Sequence, residues 1–335
     1  MSTELLIANK ASGSIWNVAD LVEGDLTLSS ERIGSPGIIE FTVILKGDLA
    51  FELGDIVRYS IDGHPLFYGY IFTIQPDRWN KCYILAYDRL RYLKANASYA
   101  FYALTAGDII RQIAEDLQLD VGQIADTGYK IPSLIENNKA CIDIIQDALN
   151  QTLLNTGILY IFYDDGDGLA LRAAGEWYES TVLGDRSLVT EFSYQLSIDT
   201  NVYNSVKLVQ PNKTTGRTDV VVAQDSANIN RWGLLQLYQA IDSELNEAQM
   251  AARAQETLSF YNRIRRTLTL ESLGINGLRA GMVIRVLLPQ VGTEAIMAWV
   301  LVESAYHVYS NDIHTMELEV LELTDDLIRS PAASE

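Results

Sequence analysis

Short runs of alternating apolar and polar residues dominate residues 1–97. Asp55–Ser60 and Leu66–Phe72 are rich in β-branched and aromatic residues, and Ile61-Asp62-Gly63-His64-Pro65 separates them. Asp-Gly between two such runs predicts a hairpin, because that dipeptide accepts the left-handed backbone of a tight turn. A third run covers Cys82–Tyr87. Runs this short, at this spacing, predict a small antiparallel barrel or sandwich.

The period then changes from two to about 3.6 residues. Thr105, with Asp108 three residues on, reads as a capping box, and Ile109, Ile110, Ile113 and Leu117 follow on one helical face. A second helix is predicted over Lys139–Asn155, with Cys141, Ile142, Ile145, Ala148, Leu149 and Leu153 as its stripe and Gly157 as its stop. Ile158–Tyr163 and Leu169–Arg172 flank Asp164-Asp165-Gly166-Asp167-Gly168 and read as a hairpin. Residues 98–185 are therefore expected to form a small α+β domain.

Strand patterns return at Val202–Val209, Asp219–Ala223 and Arg266–Leu270. A long helix is predicted over Ser243–Tyr261, with Ser243 as N-cap, Glu244 and Glu247 in the first turn, and alanines 248, 251, 252 and 254 in close packing. Met316, Leu318 and Val320 alternate with Glu317 and Glu319, a half-buried strand. Residues 329–335 read as a frayed tail.

Two distant stretches are alike. Phe51-Glu52-Leu53-Gly54-Asp55-Ile56-Val57-Arg58-Tyr59 and Leu278-Arg279-Ala280-Gly281-Met282-Val283-Ile284-Arg285-Val286 share an apolar residue, two spacers, Gly, one spacer, two β-branched residues, Arg and a further apolar or aromatic residue. An aromatic-led strand follows each, Tyr68–Phe72 and Trp299–Glu303, and then one more, Cys82–Tyr87 and Thr315–Leu321. Two readings fit. Such a pattern opens strands in many β proteins, or one small barrel occurs twice with the α+β domain between the copies. On the second reading the organisation is a first barrel at 1–97, the insert at 98–185, and a second barrel with the long helix at 186–328.

Composition narrows the function classes. The 335 residues carry 44 acidic and 25 basic side chains, a net charge of −19. That balance disfavours a grip on nucleic-acid phosphates or an anionic membrane surface. Cys82 and Cys141 exclude a disulfide scaffold and a cysteine zinc site. The N-terminal residues lack the basic-then-apolar pattern of a signal peptide, and no apolar run approaches the ~20 residues of a membrane span.

Motifs for catalysis are missing. There is no Gly-x-Ser-x-Gly elbow, no Walker loop and no Gly-x-Gly-x-x-Gly. His64 falls in the predicted hairpin turn. His307 and His314 flank the predicted turn Ser310-Asn311-Asp312 and would face each other across a hairpin. A metal there needs a further ligand, and Glu303 shares their strand face by alternation; a plain polar face is the competing reading. The Asp164–Gly168 run has the wrong residues at the fifth and sixth positions for a calcium loop, Leu169 and Ala170, and reads as a turn. Both cysteines sit in apolar stretches, as core residues do. No catalytic, cofactor-binding or metal residue is therefore assigned, and no cofactor is expected.

The order of several stretches resembles the baseplate hub proteins of contractile phage tails, in the late-control gene D group and its Gram-positive prophage relatives. Tyr59–Ile71 is similar to the family's first-barrel hairpin and Leu104–Ile110 to the start of its inserted domain. Tyr203–Leu208 is similar to the opening of its second barrel, and Asp225-Ser226 with Arg231-Trp232-Gly233 to its helix-leading segment. Ser272-Leu273-Gly274, Leu278–Gly281 and Glu303–His307 complete the match. The resemblance implies a non-enzymatic homotrimer in the virion tail baseplate, made in the bacterial host cytoplasm. Three subunits with two similar barrels each would adapt a sixfold tail tube to a threefold spike, with tube, spike and other baseplate proteins as partners. It implies no membrane partner, and DNA at most passing through a channel that the acidic excess could line. Two other classes stay open: a cell-wall hydrolase at the tail tip, or a carbohydrate-binding module with Tyr68, Tyr70 and Trp299 stacking on sugars.

Overall fold

The computed structural model describes residues 2–47, 49–184, 187–212, 217–241, 245–291, 294–310 and 313–322. The fold is mainly β. The first strands are β1 (Thr3–Ala8), β2 (Ile15–Asn17), β3 (Leu26–Glu31), β4 (Ile38–Ile44), β5 (Ile56–Ile61), β6 (His64–Pro76), β7 (Lys81–Tyr87) and β8 (Asn96–Thr105). Helix α1 (Ala106–Asp116), β9 (Val121–Ile124), β10 (Lys130–Ala140), α2 (Cys141–Thr156), β11 (Tyr160–Asp164), β12 (Leu169–Ala173), β13 (Tyr178–Gly184) and β14 (Val189–Ser197) follow. Then come β15 (Ser205–Asn212), β16 (Arg217–Gln224), α3 (Ser226–Trp232), β17 (Gln236–Ala240), α4 (Glu247–Tyr261), β18 (Arg265–Leu273), β19 (Val283–Val291), β20 (Glu294–Ser310) and β21 (Ile313–Glu322). The chain divides into two compact units, Met1–Ser193 with Leu268–Glu335, and Tyr194–Thr267.

In the larger unit one long sheet runs in the order β14-β18-β21-β20-β3-β4-β7-β6-β5-β1-β2, with β19 against β20 and β13 against β19. The Asp-Gly hairpin forms as its chemistry dictates. Ile61 opposes His64, and Asp62 and Gly63 both take positive φ, 50° and 78°, the two-residue turn that matches strand twist. His64 is thus the exposed first residue of β6, not part of the turn. Alternation buries Ile39, Phe41, Val43, Val57, Tyr59, Ile71, Ile84 and Ala86 in one core.

Helices α1 and α2 pack on β8, β10 and β12 around Ile109, Ile110, Ile113, Cys141, Ile145 and Leu149. Thr105 caps α1 in a full capping box with Asp108. Gly157 ends α2 in the left-handed region at φ 71°. This helix starts at Cys141 and not at Lys139, because Lys139 and Ala140 still pair with β8. Cys82 and Cys141 are both unbridged and buried.

The two alike stretches take one course. Gly54 and Gly281 both have positive φ, 87° and 92°, where a β-carbon would be strained. The Gly54 N–H donates to Ile71 O (2.8 Å) and the Ile71 N–H to Asp55 O (2.9 Å); the Gly281 N–H donates to Val302 O (2.8 Å) and the Val302 N–H to Met282 O (2.9 Å). Immediately afterwards the register slips between Ile71 and Thr73 against β7, and between Val302 and Ser304 against β21. The strand orders correspond as well: β5-β6-β7-β4-β3 in one half and β19-β20-β21-β18-β14 in the other.

In the smaller unit, β15 lies between antiparallel β16 and parallel β17. Helix α4 buries Met250, Ala254 and Leu258 on Val206 and Leu208. Its N-cap is Asn246, in a capping box with Gln249; the predicted cap Ser243 lies outside the described residues. The alanine expectation fails, since only Ala254 is buried while Ala248, Ala251 and Ala252 are exposed. Spacing of four, not alanine content, selects the packed face. Asn311, Asp312 and the 329–335 tail also fall outside the described residues.

Candidate functional site

Within the larger unit, the two alike halves meet the β11–β12 hairpin at a buried polar junction. Asp88 caps the short 3-10 helix Arg89–Lys94 that follows β7. Its Oδ1 accepts from the Leu90 N–H (3.0 Å) and its Oδ2 from the Gly37 N–H (2.8 Å). Arg89 turns inward, 3% exposed, over the face of Tyr68. Its Nη1 donates to Asp164 Oδ1 (2.8 Å) and Gly166 O (3.1 Å), and its backbone N–H to Asp164 Oδ2 (2.9 Å). From the second half, Arg279 Nη1 donates to Asp164 O (2.8 Å).

The Arg89–Asp164 ion pair is hydrogen-bonded on both sides, which is how buried ions are tolerated. Burial, and then the nearby Asp164, push the Asp88 carboxyl up to about 8, although its two N–H donors and Arg279 pull the other way. The Asp164–Gly168 run is a turn: Arg89 pairs with Asp164, and Asp165 Oδ1 accepts from the Asp167 and Gly168 N–H groups.

The histidines lie beside this junction. His307 and His314 meet ring to ring, Nδ1 to Nε2 at 2.9 Å. His307 Nε2 faces Leu278 O at 2.7 Å. A carbonyl only accepts, so His307 carries its proton on Nε2 and His314 Nε2–H donates to His307 Nδ1. Desolvation holds both rings down to about 4, with the His307 neighbour adding to the effect at His314. Gly274 lies against the His314 ring, and a β-carbon there would overlap it.

Glu303 is not with them. The register slip at Glu303 breaks the alternation, and its carboxylate takes both Nε and Nη2 of Arg32 at 3.0 Å. Among the described residues no group of three His, Cys, Asp or Glu is placed so that it could hold a metal ion. Tyr68 and Tyr70 meet edge to face at 5.8 Å, half-buried, and Trp299 packs edge-on to Tyr178. Sequence reasoning missed Arg89, Asp164, Arg279 and Arg32. One signal was present: the repeat places Arg279 where the first copy has Glu52, a charge reversal inside an otherwise shared pattern.

Arg89–Asp164, Arg279–Asp164 and Arg32–Glu303 each tie together segments far apart in the chain. The YQBQ-like family model matches residues 26–321. The chain belongs to the YQBQ-like family. It is 32% identical over 310 residues to the phage-like element PBSX protein XkdQ of Bacillus subtilis, covering 90% of this chain and 93% of that one. Its fold is similar to the 43 kDa tail protein of prophage MuSo2 from Shewanella oneidensis, with a TM-score of 0.68 at 14% identity, covering 95% of this chain and 98% of that one. It is also similar to an E. coli component of the type VI secretion system, itself described as structurally similar to T4 bacteriophage tail proteins gp27 and gp5. There the TM-score is 0.55 at 14% identity, covering 92% of this chain and 76% of that one. The structural neighbours of this family member include proteins described as prophage tail proteins and as a type VI secretion component.

Proposed function

We propose that the chain is the baseplate hub of a contractile phage-type tail, of the late-control gene D kind, and works without catalysis. Three copies form a ring in which every subunit contributes two similar barrels, one from 1–97 and one from 186–328, with 98–185 inserted between them. The ring presents six comparable surfaces to the tail tube and three to the spike. Its place is the virion tail baseplate, after synthesis in the host cytoplasm.

The observation that carries this reading is the matched pair of five-strand orders with the same glycine turn and the same register slip. A subunit that must meet a sixfold neighbour from a threefold position needs its joining surface twice. Similarity of fold to tail proteins supports the setting.

Negative-stain electron microscopy of the purified protein at high concentration tests it. Class averages with six lobes around an open centre are expected. Compact single particles at every concentration, with and without a cognate spike protein, would overturn the hub reading.

A further inference from the structure

The correspondence between the two halves reaches beyond the strands they share. Strand β3 has a neighbour on each side, β4 and β20. Its counterpart in the second half, β14, has β18 on one side and, among the described residues, no strand on the other. Strand β20 changes partner at its register slip. Before it, β20 pairs with β19; after it, Ser304–Tyr309 pair antiparallel with β3. The counterpart β6 does the same as far as it can. Before its slip it pairs with β5; after it, Thr73–Pro76 have β7 on one side and no strand on the other among the described residues.

The chain therefore contains the joint β3·β20 once made and once unmade, its second pair of halves being β14 and the outer edge of β6. We infer that these two edges join between copies: the Val189–Ser193 stretch of β14 adds antiparallel to Thr73–Pro76 of β6 in a second copy of this chain, as β3 adds to β20 within one. The occupant of each edge is thus another subunit, through backbone hydrogen bonds.

Two observations favour this over edges left in water, and a third sets the length of the joint. The made joint shows that the geometry closes in this fold. Strand β14 is nine residues long and includes Val189 and Phe192, and a long, partly apolar edge is a liability unless something covers it. The β6 edge stops at Pro76, which has no N–H to donate, and this limits the added strand to a short segment. The joint is head-to-tail, so it closes only as a ring. That it closes at three rests on the proposed hub function.

Cysteine pairs in the full chain test it. T73C or Q75C is combined with E191C or S193C; all four positions are exposed, while Cys82 and Cys141 are buried and left in place. Oxidation of at least one double variant is expected to give a ladder on a non-reducing gel that ends at trimer, while the single variants stay monomeric. Sedimentation of the unmodified protein is run in parallel. A trimer by sedimentation with all four double variants uncrosslinked would overturn the edge pairing and leave the hub standing. Covalent ladders beyond trimer would support the edge pairing and overturn threefold closure. A monomer at every concentration, uncrosslinked, would overturn both. Hydrogen exchange on the unmodified protein gives a second readout: β14 and the Thr73–Gln75 amides should slow on assembly, and unchanged rates there in an assembled sample would reject the joint.

Discussion

The Arg89–Asp164 pair shows what a single buried contact does in this protein. Both side chains are almost fully removed from water, so removing one partner leaves a charge with nothing to replace its solvation. Arg89→Met is expected to destabilise the fold by about 3–5 kcal/mol, read by denaturant unfolding. The pH dependence is set by groups that pull in opposite directions. The histidine pair titrates at about 4 when folded, against 6.5 for a free ring. Its contribution is therefore complete above the unfolded value and is lost as the pH falls to about 4. Asp88 is raised to about 8, so its contribution is present at acid pH and is lost as the pH rises through that value. Below 6.5 two rings outweigh one carboxyl, and above it only Asp88 changes. A maximum in melting temperature is expected between about pH 6 and 7. Asp88→Asn should flatten the alkaline side, and an unchanged alkaline limb would refute the assignment.

Elements in this fold are set by local chemistry and then placed by a few backbone devices. The α1 capping box is local: Thr105 Oγ1 accepts from the Asp108 N–H, and Asp108 Oδ2 accepts from the Thr105 N–H. Thr105→Ala should cost about 1 kcal/mol, a loss that appears as a lower denaturation midpoint with unchanged slope. The repeated glycine turn is a second device with two different surroundings. Nothing stands close to a β-carbon at Gly54, whereas at Gly281 it would overlap the Ile161 side chain. Both Gly→Ala changes carry the positive-φ strain, about 1 kcal/mol or more. The Gly281 variant should lose distinctly more, and equal melting temperatures for the two would show that Ile161 does not pack against Gly281.

At the scale of the whole molecule, charge and duplication bear on assembly. With 44 acidic and 25 basic side chains, the net charge of −19 works against binding to a phosphate backbone. If the acidic excess lines a channel, the purified ring should not retain DNA at physiological salt in a filter or mobility assay. Strong retention there would overturn the channel reading. The described helices include none long and apolar enough to cross a membrane.

Much of this was written locally in the chain. The Asp62-Gly63 turn, the Thr105 cap, the Gly157 stop and the alternation in β21 depend on residues a few positions apart, and the amino-acid order alone determined them. The repeat was also legible, because Gly54 and Gly281 need the same unusual backbone and leave the same mark. What lay far apart was not legible. Arg89 and Asp164 are 75 residues apart, Arg279 and Asp164 are 115, and Arg32 and Glu303 are 271. No periodicity connects such pairs. The displaced start of α4 and the Glu303 slip, which took Glu303 away from the histidines, likewise followed from cap and sheet geometry that alternation cannot express. The pairing of β3 with β20, and with it the two edges open on β14 and β6 among the described residues, was decided by the tertiary structure alone. A strand's edge is identical in sequence whether or not another strand lies beside it, because the bonds that join it belong to the backbone.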